Sequence, residues 1–199
     1  MSKPRLEILI KEYASKILRE IFDNAPNELN VYDFDDTLCS TEGTVHLINK
    51  TTGKTRELSP HEFHEYHLKD DEEFDLSDFG VILNPVTLPH FDRMKADYKR
   101  LGPYGVSICT ARPAANEIIE FISQQGMPDV EVVAVGDFTP TGDVGELNAA
   151  RKQAYLRGKL QQGNIKILRF FDDNLFNVQA AEKLVEEFPE VQIEIELVK

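Results

Sequence analysis

The stretch Asp33-Phe34-Asp35-Asp36-Thr37 crowds three carboxylates into four residues, directly after the run Leu29-Asn30-Val31-Tyr32. Two carboxylates two apart, Asp33 and Asp35, converge on one point if the chain turns sharply past a strand. Their repulsion is then relieved by a bound cation. Hard oxygen donors of this kind suit magnesium. The plainer alternative is an acidic turn with a helix cap, a common arrangement. A second pair, Asp172-Asp173, follows Ile167-Leu168-Arg169-Phe170-Phe171. Adjacent like charges at the mouth of a hydrophobic strand are hard to explain by packing, and a metal would explain them. Thr110 closes the apolar run of YGVSICTAR, where its hydroxyl can donate to a phosphoryl oxygen, although a threonine at a strand end is commonly structural. Lys152 and Lys159 lie on the segment before that last strand. Either would place a cation near a phosphate, whereas most helix lysines are merely solvated.

Bringing these residues together requires a scaffold, and the pattern of the chain predicts one. Strands are expected at 29–32, 104–112, 130–135, 165–171 and 191–198. Helices are expected at about 87–101, 113–125, 146–161 and 175–187, the second starting at Pro113 and ending before Gly126. An amphipathic helix over 4–23 precedes them, with Leu6, Leu9, Ile10, Tyr13, Ile17 and Ile21 at helical spacing. Strand alternating with helix predicts an α/β fold: a Rossmann-like parallel sheet with helices on both faces. In such sheets ligands bind beyond the carboxyl ends of the strands, and every reactive residue named above falls at a strand end.

In order and context, the DFDDT piece, Thr110 of ICTAR, a helical lysine and the terminal Asp pair of FFDD resemble the haloacid dehalogenase-like hydrolase superfamily. The likeness spans residues 29–185. Within the superfamily the chain looks like small-cap phosphatases, including phage-encoded ones and the phosphatase domains of polynucleotide end-repair enzymes. The resemblance implies a phosphoric monoester hydrolase in which Asp33 is the nucleophile. Asp35 would protonate the leaving oxygen and then deprotonate water. Thr110 and Lys152 would hold the phosphoryl group, Lys152 being preferred to Lys159 because family members carry this lysine near the start of the helix. Mg²⁺ would be held by Asp33, the backbone carbonyl of Asp35, and Asp172, with Asp173 beside it. An acid at Asp35 favours phosphoryl transfer over dehalogenation, because halide leaves without a proton. A phosphomutase with the same aspartates, and a non-catalytic phosphate-ligand binding protein of the same fold, are the alternative functions.

The passage from Asp33 to Thr110 is roughly twice what strand, loop, helix and strand require. The excess at 42–80 reads as a small hairpin-and-helix cap inserted in a single domain, 1–199. It contains a hairpin at 44–58 turning at Thr52-Gly53, a helix starting at Ser59-Pro60, and an acidic loop, KDDEEFDLSDFG. His61, His64 and His67 stand at i, i+3 and i+6. The spacing is not HExxH, and it admits a metal site, substrate contact or a solvated face. Asn177 either orders the Asp172 loop or caps the following helix.

With 35 acidic against 22 basic side chains, the net charge is −13. Such a surface repels polyanions, so no extended nucleic-acid surface is expected. The partner is a small phosphorylated substrate: a nucleotide, a sugar phosphate or a nucleic-acid end. No apolar run is long enough to span a membrane, and charge interrupts the N-terminal segment as it does not in a signal peptide. Cys39 and Cys109 read as free, buried thiols. These features together predict a cytoplasmic protein.

Overall fold

The computed structural model describes residues 26–58, 62–63, 66–138, 140 and 144–199. The predicted helix over 4–23 lies outside them, as do His61 and His64. Five parallel strands form the central sheet: β1 (Glu28–Tyr32), β7 (Val106–Thr110), β8 (Glu131–Ala134), β9 (Ile167–Asp172) and β10 (Gln192–Leu197), in the order β10-β9-β1-β7-β8. Every predicted strand of the α/β core is present, within a few residues of its expected ends. β1 and β7 are buried along almost their whole length, which is why both read as near-continuous runs without alternation. The edge strand β10 alternates instead.

Helices α1 (Pro89–Leu101) and α2 (Asn116–Gln124), then α3 (Val144–Leu160), α4 (Leu175–Glu182) and the short α5 (Leu184–Glu187), connect the strands. Phe91, Met94, Ile118 and Ile122 pack with Tyr32, Phe34 and Phe171 in one core, and Leu156, Leu160, Ala181 and Leu184 pack with Val31, Cys109 and Phe170 in another. Helices therefore cover both faces, an architecture compatible with a Rossmann-like fold. The strand order reverses direction beside β1. The chain leaves β1 toward β7 and β8, then returns to β9 on the other side, which opens a crevice above the β1/β9 junction.

A three-stranded antiparallel sheet is inserted between β1 and α1, in the order β4-β3-β5, from β3 (Val45–Asn49), β4 (Thr55–Leu58) and β5 (Glu72–Asp75). The expected hairpin is β3-β4. Its turn is built by the Asn49 side chain, which accepts from Thr51 N, Thr52 N and Thr52 Oγ1 at 2.8–3.2 Å. The expected acidic loop is corrected in part: Glu72–Asp75 is a strand. Phe74 is fully buried, and Glu72 turns inward with its carboxylate bound by Tyr66 Oη at 2.9 Å and Lys69 N at 3.2 Å. Tertiary partners there override a charged, loop-like composition. Phe74 forms a small core with Val45, Leu47, Leu58 and Leu76, which Val144 of α3 joins. Short strands β2 (Cys39–Ser40) and β6 (Val86–Thr87) pair where the insertion leaves and rejoins the sheet. Among the described residues no helix is long and apolar enough to cross a membrane. Cys39 and Cys109 are free and buried, and burial pushes each thiol up to about 12.

Candidate active site

Register brings the predicted residues together. Tyr32 pairs with Ile108 on one side and Phe171 on the other, so the next residue of β1, Asp33, stands beside Asp172. Its backbone N donates to Phe171 O at 2.8 Å, extending the ladder by one residue. Phe34 drops into the core, edge-on to Phe121, and Asp35 returns to the surface side. The chain then turns back at Asp36, whose φ is 53°. Aspartate tolerates this left-handed conformation better than most residues. Leu38 N and Cys39 N both close onto Phe34 O at 2.9 Å.

Lys152 is the lysine of the site. In α3 the buried positions Val144, Asn148, Lys152, Leu156 and Leu160 recur every four residues and form one stripe. Its lower end packs in the core, while its upper end presents Asn148 and Lys152 to the cavity. The helix begins two residues earlier than expected, so Lys152 lies mid-helix and not near its start. Its Nζ lies 2.7 Å from Asp33 Oδ1 and 2.8 Å from Asp172 Oδ2. The approach to Asp33 lacks hydrogen-bond direction, and among the described residues that buried oxygen accepts no directed bond. Lys159 instead pairs with Glu131 at 2.5 Å.

Asp172 is fully buried. Its Oδ1 accepts from Asn177 Nδ2 at 2.8 Å and Asn174 N at 2.9 Å. Asn177 therefore orders the loop, and the helix cap is Asn174, which accepts from Phe176 N. Asp173 stands on the exposed rim. Carboxylate oxygens of Asp33, Asp172 and Asp173 all lie within 4.8 Å of one another, a cluster of hard oxygen donors that could hold a divalent cation together with water. The Asp35 side chain stands outside this group. Thr110 is buried at the end of β7, lines the cavity, and accepts from Arg112 N at 3.1 Å.

Arg112, absent from the sequence-based site, dominates the other half. It is 3% exposed. Nε and NH2 clamp Asp35 at 2.8 Å each, NH2 also reaches Thr41 Oγ1 at 2.8 Å, and NH1 reaches Val81 O at 2.6 Å and Phe79 O at 3.3 Å. Thr41 in turn donates to Asp35 Oδ1 at 2.9 Å. The loop carrying Arg112 lies so close to Gly136 that a Cβ there would sit 1.9 Å from Ala111 O, so only glycine fits. The one available signal was an arginine two residues past a predicted strand-end threonine.

Burial holds the Asp33 carboxyl well above the usual range, Lys152 pulls it back, and Asp172 and Asp173 push it up again. Burial and Asp172 push Asp173 up to about 6. Burial works against the charge of Lys152, but Asp172 and Asp33 outweigh it and hold the ammonium well above its ordinary value. The raised value means that the Asp173 carboxyl of the folded, metal-free chain keeps its proton between about pH 4 and pH 6, where the unfolded chain has lost it, so this group costs stability as pH rises through that window. Asp173→Asn should therefore raise the thermal midpoint in chelator at about pH 7.5 and change it little near pH 4. If Asp173 is a Mg²⁺ ligand, the variant should melt below the wild type in saturating Mg²⁺ at the higher pH. A variant no more stable than wild type in chelator at the higher pH would contradict the repulsion.

These side chains enclose a cavity of about 130 Å³ beyond the strand ends. Asp33, Thr110 and Lys152 line one side. Val45, Phe63, Leu76 and Phe79 of the insertion line the other. Of the three histidines, only His67 is described, in irregular chain before β5. No protein-family model, curated protein or solved structure matches the chain.

Proposed function

We propose that the protein is a Mg²⁺-dependent phosphomonoester hydrolase of the haloacid dehalogenase-like kind, acting through an aspartyl-phosphate on Asp33, with residues 42–80 as its cap. One observation carries the reading. Asp33 presents a buried oxygen without a directed hydrogen bond at a cavity, with Lys152 at 2.7 Å and two more carboxylates alongside.

Asp33, Asp172 and Asp173 supply the side chains that would hold Mg²⁺. The bound ion supplies charge that offsets the repulsion between carboxylate and phosphate. An Asp33 oxygen attacks phosphorus as the ester P–O bond breaks. The departing oxygen takes a proton from Asp35. Water then attacks the phosphorus of the aspartyl-phosphate, losing its proton to Asp35, as the P–O bond to Asp33 breaks and returns Asp33 as a carboxylate with release of inorganic phosphate. Lys152 and the Thr110 hydroxyl steady the phosphoryl oxygens as charge shifts. Asn177 and Asn174 fix Asp172 so that the carboxylates need not reorganise. The apolar wall of the insertion narrows access of water to the cavity.

The test is phosphate release from an aryl phosphate. Activity is expected with Mg²⁺, is expected to vanish in chelator, and should fall when Ca²⁺, with its larger and looser coordination shell, replaces Mg²⁺. Full activity in excess chelator would overturn the reading.

A further inference from the structure

Charge is unevenly spread around the cavity. Five carboxylates line it: Asp33, Asp35, Asp36, Asp137 and Asp173. Among the described lining residues, Arg112 and Lys152 are the cations, and both are committed. Arg112 spends its donors on Asp35, Thr41 and two backbone carbonyls of the 79–81 segment. Lys152 lies between Asp33 and Asp172. Arg151, the neighbouring cation, is tied to Asp137 at 2.7 Å and to Val135 O at 2.8 Å. A transferring phosphoryl group meets Lys152 and the proposed ion. Among the described residues, a second phosphate would meet carboxylates and no uncommitted cation.

The opposite wall is apolar and held in place. Phe79 packs over Gly43, where an added Cβ would sit 3.0 Å from the ring, and the Arg112 guanidinium lies 5.4 Å from its centre. Phe63 is set edge-on to the buried Phe74, with ring centres 5.0 Å apart. Two positioned phenyl rings suit a flat, uncharged group.

Resting on the phosphatase reading of this site, we propose that the substrate is a small monophosphate ester whose leaving group is uncharged and presents a flat apolar face to Phe79 and Phe63. Nucleoside monophosphates and aryl phosphates share this chemistry. Bisphosphates and phosphorylated oligonucleotides do not, because their remaining phosphates face Asp36 and Asp137 with no uncommitted cation among the described lining residues to receive them.

The experiment compares kcat/KM, with Mg²⁺, for phenyl phosphate, adenosine monophosphate, glycerol phosphate, a hexose bisphosphate and a phosphorylated oligonucleotide. Phenyl phosphate or adenosine monophosphate should exceed glycerol phosphate about tenfold, and the polyanionic esters should fall at least about tenfold below the favoured one. Which of the two leads separates the nucleoside from the aryl source. Phe79→Leu keeps apolar volume without a flat face, so it should bring the favoured ester toward glycerol phosphate, chiefly through KM. Asp137→Asn removes a carboxylate and releases Arg151, so it should narrow the gap to the bisphosphate. Calorimetric binding of phenylphosphonate against methylphosphonate runs alongside. If no ester turns over but phenylphosphonate binds about tenfold tighter, the selectivity stands and the phosphatase reading falls. Bisphosphates or oligonucleotides hydrolysed as well as phenyl phosphate, or glycerol phosphate hydrolysed as well as either flat ester, would overturn this inference and leave the phosphatase reading intact.

Discussion

Asp33→Asn is expected to reduce Mg²⁺-dependent phosphate release on the order of 10⁴-fold or more, as loss of an enzymatic nucleophile does. The amide is nearly isosteric but is no match for a carboxylate as a nucleophile toward phosphorus. The fold should survive. The backbone N of residue 33 still donates to Phe171 O, and Lys152 still pairs with Asp172 at 2.8 Å. In chelator the variant should be more stable than wild type, because one of three crowded carboxylates is gone. Relief on the order of 1 kcal/mol would appear as about 2–4 °C in the midpoint for a chain of this length. Added Mg²⁺ should then stabilise the variant less than the wild type. Phosphate-release assays and thermal melts with and without Mg²⁺ measure both effects. Turnover near the wild-type rate would move the nucleophile elsewhere.

Asp35→Asn should produce a different pattern. A general acid matters in proportion to how badly the leaving group needs a proton. Alkyl phosphates should slow by about 10²–10⁴-fold, while the first step on nitrophenyl phosphate should lose far less. In the proposed mechanism Asp35 is also the base of the second step, so the aspartyl-phosphate should accumulate, giving a burst of nitrophenol followed by slow turnover. Asp33→Asn should show no burst with any ester. The structure adds a condition. Both Asp35 oxygens accept bonds, from Arg112 on either side and from Thr41 on Oδ1, so proton transfer through Asp35 requires one of these bonds to exchange. Arg112→Lys, which cannot clamp both oxygens in the same fork, should therefore change the ratio of alkyl to nitrophenyl rates. Equal slowing of both ester types by Asp35→Asn, without a burst, would make Asp35 a structural residue.

The expectations from the sequence came apart along physical lines. The parallel sheet was legible because central strands are covered on both faces and so rich in apolar residues, and β1, β7 and β9 are buried along most of their length. Asp33, Thr110 and Asp172 could be placed at one end of the molecule because each terminates such a run. Lys152 is preferred to Lys159 by resemblance and because Lys159 falls near the helix end, away from the strand ends. In the structure the choice follows from a stripe of every fourth residue on α3, whose upper end alone reaches the carboxylates.

What the chain determined by itself is thus whatever depends on local pattern: the alternation of strand and helix, the strand ends, and the acidic residues that stand there. Tertiary structure alone decided the partners. Glu72–Asp75 reads as an acidic loop, yet becomes a strand because Phe74 finds a core and Glu72 finds Tyr66 and Lys69. Arg112 has no place in the site read from the sequence, yet is buried in it because Asp35, Thr41 and two distant carbonyls satisfy it together. Asn177 holds Asp172 while Asn174 caps the helix, a division two equally placed asparagines do not reveal in sequence. Burying a charged or polar group is favourable only when its partners are already in position. Those partners come from segments far apart in the chain, so no local window contains the information.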